Sequence, residues 1–149
     1  GRQAQLLLPG PGEPARILNR GLYQQGLHLV AGQEYEGYVY ARLVQRDDEA
    51  KPPTLEVSLV RLGAGVVPAT LASAAFPLAE GSRWVRLNFT LRPAGGAECR
   101  VERRRAGCFA AGPRSSASTP EGECVVCDGG LVLAASGGRV AVDFAFLQP

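Results

Sequence analysis

The sequence predicts an all-β fold, an antiparallel β-sandwich or jelly roll, and three observations carry that reading. The 19 Gly and 11 Pro of this 149-residue chain recur as punctuation between short apolar-alternating runs instead of collecting in one tail. Several of those runs alternate apolar and polar residues with period two, as a half-buried strand requires. No window of helix length carries the i, i+3, i+4 apolar spacing of an amphipathic helix. Residues 1–149 read as a single module, able to bury roughly two-thirds of the surface its unfolded form exposes.

Taken in order, Arg2 to Leu8, Leu22 to Val30 and Glu34 to Leu43 read as strands, with Ala31-Gly32 turning the second into the third as a hairpin. Thr54 to Leu62 sets Leu55, Val57 and Leu59 on one side and Thr54, Glu56 and Ser58 on the other. Arg83 to Leu91 places Val85, Leu87, Phe89 and Leu91 inward, and Trp84, Arg86, Asn88 and Thr90 outward. Leu131 and Leu133 begin a strand that Ser136-Gly137-Gly138 links as a tight hairpin to Val140–Leu147. There Val140, Val142, Phe144 and Phe146 share one face, opposite Ala141, Asp143 and Ala145. Such short links imply antiparallel pairing. From about 95 to 130 the rhythm breaks: this stretch holds all four cysteines, the run Arg103-Arg104-Arg105 and the soft segment Gly112 to Gly122, and reads as a long insertion between two strands.

A fifth of the residues are charged, but the formal net charge is only +2, so no global field points to nucleic acid or an anionic membrane as partner. No apolar run approaches the roughly 18 residues of a membrane span. With no Met and no signal-peptide pattern at Gly1, the chain reads as a processed or excised piece of a longer protein.

The order of several motifs is recognisable. Asn19-Arg20-Gly21-Leu22-Tyr23, Gly26-Leu27, Ala31-Gly32-Gln33-Glu34-Tyr35 and Tyr38-Val39-Tyr40-Ala41-Arg42 follow one another, then Leu55-Glu56-Val57-Ser58-Leu59, Ser82-Arg83-Trp84-Val85 and Phe89-Thr90-Leu91. Val140-Ala141-Val142-Asp143-Phe144-Ala145-Phe146-Leu147-Gln148-Pro149 closes the series. This run resembles the β-sandwich module of family 51 α-L-arabinofuranosidases, over about two-thirds of the chain and skipping the cysteine segment, with Ala141 where that family has an aromatic residue. The resemblance implies a galactose-binding-like sandwich of the carbohydrate-binding-module type, from a secreted sugar-handling protein. Its implied partners are an arabinose- or xylose-containing polysaccharide or oligosaccharide and the adjacent catalytic domain of a glycoside hydrolase. The chain ends before any barrel that could hold catalytic carboxylates, so it is read as non-catalytic whatever its parent does.

Candidate sugar-binding residues are Tyr23, Tyr38, Tyr40, Arg42 and Trp84. Glu36, Tyr38, Tyr40 and Arg42 share one side of a strand, where aromatic rings offer platforms for the C–H face of a sugar and Arg and Glu bond its hydroxyls. The same pattern suits the outer layer of a sandwich, or a surface docked on a neighbouring domain. Trp84, at a strand start, fits packing beneath a loop as well as stacking. Asp143 suits a structural calcium ligand by analogy with related sandwiches; a carboxylate capped by backbone N–H groups or an Arg is the plainer alternative, and no other cofactor is implied. Cys99, Cys108, Cys124 and Cys127 read as disulfide partners in an oxidising compartment, in any of three connectivities. Cys124-x-x-Cys127 also has zinc-ligand spacing, but Cys99 and Cys108 stand too far apart for a common zinc ribbon. Asn88-Phe89-Thr90 is an N-glycosylation sequon on the outward side of its strand. The lone His28 has no Ser or Cys elbow beside it.

Overall fold

A computed structural model describes residues 4–21, 23, 26–47, 51–62, 68–79, 81, 83–94 and 125–149, with backbone only at 125–128 and 144. Nine strands form in chain order: β1 (Gln5–Leu7), β2 (Ala15–Asn19), β3 (Leu27–Val30), β4 (Tyr35–Arg46), β5 (Thr54–Arg61), β6 (Ala69–Pro77), β7 (Val85–Leu91), β8 (Val125–Ser136) and β9 (Gly138–Gln148). They build two antiparallel sheets packed as a sandwich. The first has the order β1-β9-β4-β7; the second has β2-β8-β5-β6, with β3 also paired to β8. Among the described residues there is no α-helix.

The core lies between the sheets and follows the alternation read from the sequence. Leu55, Val57 and Leu59 of β5 have no exposed surface, and they meet Tyr35, Val39 and Ala41 of β4 with Phe89 and Leu91 of β7 in one apolar cluster. Burying one such side chain contributes about 1.5–3 kcal/mol. The inward Tyr35 hydroxyl finds a partner, accepting the Val30 N–H at 2.8 Å. Val85, at the sheet's edge, is half exposed instead of buried.

Four expectations are corrected. The links expected to be hairpins are not: β3 and β4 lie in different sheets, as do β8 and β9, so the turns at Ala31-Gly32 and Gly137 carry the chain across the sandwich. A tight turn with glycine at positive φ (Gly32 at 81°, Gly137 at 72°) reverses the chain equally well between sheets as within one. Secondly, β8 begins at Val125, inside the stretch assigned to the insertion, because its first residues pair with β3. Thirdly, β2 and the Ala-rich β6 had no alternation signal strong enough to mark them.

The fourth correction concerns β9. Its register against β4 shifts where Tyr40 pairs with Asp143 but Val39 pairs with Ala145, leaving Phe144 as a bulge residue. A bulge inserts one residue and so reverses side-chain parity. Val140 and Val142 face the core before it, Ala145 and Leu147 after it, and Phe146 is turned outward, 38% exposed.

Candidate aromatic face

The outward side of the first sheet assembles row by row from strand register. Across β9, β4 and β7 the rows read Ala141–Arg42, Asp143–Tyr40–Arg86, Phe146–Tyr38–Asn88 and Gln148–Glu36–Thr90, with Trp84 just before β7 next to Arg42. Directly paired residues stand about 4.5–5.5 Å apart at Cβ, so large side chains must touch. Tyr38 and Phe146 stack with centroids 5.6 Å apart and planes 29° apart. From the strand on the other side the Arg86 guanidinium lies 3.9 Å from the Tyr38 ring centroid. Tyr40 meets Tyr38 edge to face at 5.8 Å, and the Arg42 guanidinium lies 5.2 Å over Trp84. The two guanidinium contacts and the Tyr40 edge match the attraction of a ring's negative face for a cation or for another ring's edge, and the Tyr38–Phe146 pair takes the stacked arrangement.

Of the candidate residues, then, the fold brings together Tyr38, Tyr40, Arg42 and Trp84. It does not add Tyr23, which projects from the β2–β3 link of the opposite sheet, 82% exposed and with φ at 53°, where L side chains are disfavoured. Tyr38 is the middle of a ladder, flanked by Arg86 and Phe146, while Tyr40, Trp84 and Phe146 are each more than a third exposed. Phe146 and the stacking role of Arg86 were missed. The first is hidden by the bulge, and the second had a signal in the outward position of Arg86 two residues from Trp84. Among the described residues the Arg42 Nε is buried without a hydrogen-bond partner, while its guanidinium lies against the Trp84 ring. Asn88 of the sequon is exposed and directly opposite Tyr38.

Asp143 is half-buried and paired with Tyr40. Among the described residues no group of three or more His, Cys, Asp or Glu gathers around it. Cys99, Cys108 and Cys124 lie outside the described residues; Cys127 belongs to β8, but its side chain is outside them too.

No protein-family model matches the chain, and no curated protein matches it in sequence. Among solved structures it is similar to the EclA C-terminal domain, described as a sugar-binding protein, at 13% identity and a TM-score of 0.43, over 99% of this chain and 79% of that one. That superposition is too loose to transfer a residue or a ligand.

Proposed function

We propose that this chain is a non-catalytic carbohydrate-binding module of a secreted protein, and that sugar docks on the outer face of the first sheet. One observation carries the reading: Tyr40, Trp84 and Phe146 stand exposed on a sheet face whose arginines, Arg42 and Arg86, are already held against rings. Held guanidiniums lose little further freedom when they bond a hydroxyl, and the exposed ring surface suits the C–H face of a pyranose or furanose. An arabinose- or xylose-containing polysaccharide, and a neighbouring catalytic domain of the α-L-arabinofuranosidase type, are supported by the sequence resemblance. The carboxylates of this face, Glu36 and Asp143, lie on one sheet surface, whereas glycoside hydrolysis sets two across a cleft at about 5–9.5 Å.

A second reading has its own observation. Leu6, paired with Ala141 in the row of Arg42, and Val44 of β4 are each about half exposed and add apolar surface to the same sheet, suited to docking a neighbouring domain. Isothermal titration with arabinoxylan separates the two. On the first reading Tyr40→Ala weakens binding by about 1–2 kcal/mol with an unchanged melting temperature. If the wild type binds no polysaccharide while the variant melts several degrees lower, the rings serve packing and the sugar-binding reading fails.

A further inference from the structure

On the outer side of the second sheet lies a cavity of about 820 Å³, within the roughly 300–1,000 Å³ span of small-molecule sites. Its floor follows from register. Ala134 on β8 pairs with Arg16 of β2 on one side and Glu56 of β5 on the other; the next row is Leu18–Val132–Ser58. Arg16 and Glu56 therefore flank a single methyl group, with Cα atoms about 10 Å apart, two strand spacings. Small side chains at the centre leave a trough, walled on the β2 edge by the segment from Leu8 to Pro14 and on the β6 edge by Pro68 and Thr70.

The trough floor carries polar groups, as the solvated side of an antiparallel sheet does, but one of them is shielded. Ser58 points away from the core yet is only 4% exposed, and its hydroxyl donates to Glu56 Oε1 at 2.7 Å. That bond ties the carboxylate along its own strand and leaves its second oxygen for a ligand. The charged lining balances, Arg16, Lys51 and Arg139 against Glu13, Asp47 and Glu56, and among the described residues no aromatic ring lines the trough. A ligand that fits is uncharged, rich in hydroxyls and recognised by hydrogen bonds instead of stacking.

We infer that this trough is a second carbohydrate site, taking a neutral oligosaccharide whose vicinal hydroxyls are bridged between Arg16 and Glu56 over Ala134. The inference does not depend on the aromatic face. Amide NMR titrations of the whole chain with xylotetraose, arabinotetraose and cellotetraose test it, on wild type and on Ala134→Leu, which fills the trough. Expected are shifts at Arg16, Ser58, Ala134 and Thr70 with at least one probe, weakened at least tenfold in Ala134→Leu and retained in Tyr40→Ala. If Ala134→Leu does not fold, Glu56→Gln decides, with a severalfold loss expected. Shifts confined to Tyr38, Tyr40 and Trp84, unaltered affinity in the trough variants, or no response to any of the three sugars overturns the inference. Shifts confined to the trough uphold it and overturn the aromatic-face reading instead.

Discussion

Tyr38 on β4 and Ala134 on β8 occupy equivalent places, each near the middle of a sheet's outward side with paired strands to left and right, yet one is wedged between side chains and the other floors an open trough. Both outer sides sit over the same core. Inward positions of either sheet are filled mainly by Leu, Val and Ala, with the rings of Tyr35 and Phe89 in the first and Phe76 in the second, so the interior hardly distinguishes the two. What differs is side-chain volume on the side that folding leaves unconstrained. Large rings and guanidiniums close one face upon itself, and small residues hold the other open. Packing explains the inside of this sandwich, and any chemistry must be sought in the volume pattern outside.

The largest expected effect tests the shared core. Phe89→Ala should cost about 3–5 kcal/mol in denaturant unfolding, and Thr90→Ala under about 1, because Phe89 is 5% exposed and Thr90 faces out. Equal losses would mean that the inside and outside of β7 are exchanged, and the aromatic face would dissolve with them. Next comes a contrast between small residues. A methyl group on Gly37 would collide with the Phe146 carbonyl oxygen and the Phe89 ring, so Gly37→Ala should destabilise by about 1–3 kcal/mol, while Ala134→Leu should stay within about 0.5. Similar melting shifts for the two would show that the trough is less open than its volume indicates. A double-mutant cycle over Arg86 and Tyr38 should then return a coupling of about 0.5–1 kcal/mol, and a value of zero would make the ladder a row of bystanders. Smallest is Arg92–Glu34, 2.9 Å apart with side chains 62% and 58% exposed, whose coupling should stay under about 1 kcal/mol and fade in high salt.

Much of this was legible in the sequence, for identifiable reasons. Period-two alternation found the cores of β4, β5 and β7, and with them the outward grouping of Tyr38, Tyr40 and Arg42, because a strand fixes which residues share a side. Trp84 joined them through β7. Three things were not legible. The turn residues at Gly32 and Gly137 specify a reversal but not whether it stays within a sheet, which depends on distant partners. The extra residue near Phe144 leaves no local mark, so Phe146 was assigned to the wrong side. The trough depends on the alignment of Arg16, Ala134 and Glu56, more than 100 residues apart at the extremes, and β2 itself is too short for its alternation to stand out.

The place of Asn88 gives the choice of production host an unexpected weight. Wherever the Asn88-Phe89-Thr90 sequon is used, the attached chain stands directly beside Tyr38 and its ladder partners. Protein made in bacteria would present these rings bare, whereas protein passed through a glycosylating host would wear its own sugar over them. The two preparations would be different reagents in any binding assay, and disagreement between laboratories would trace to one asparagine.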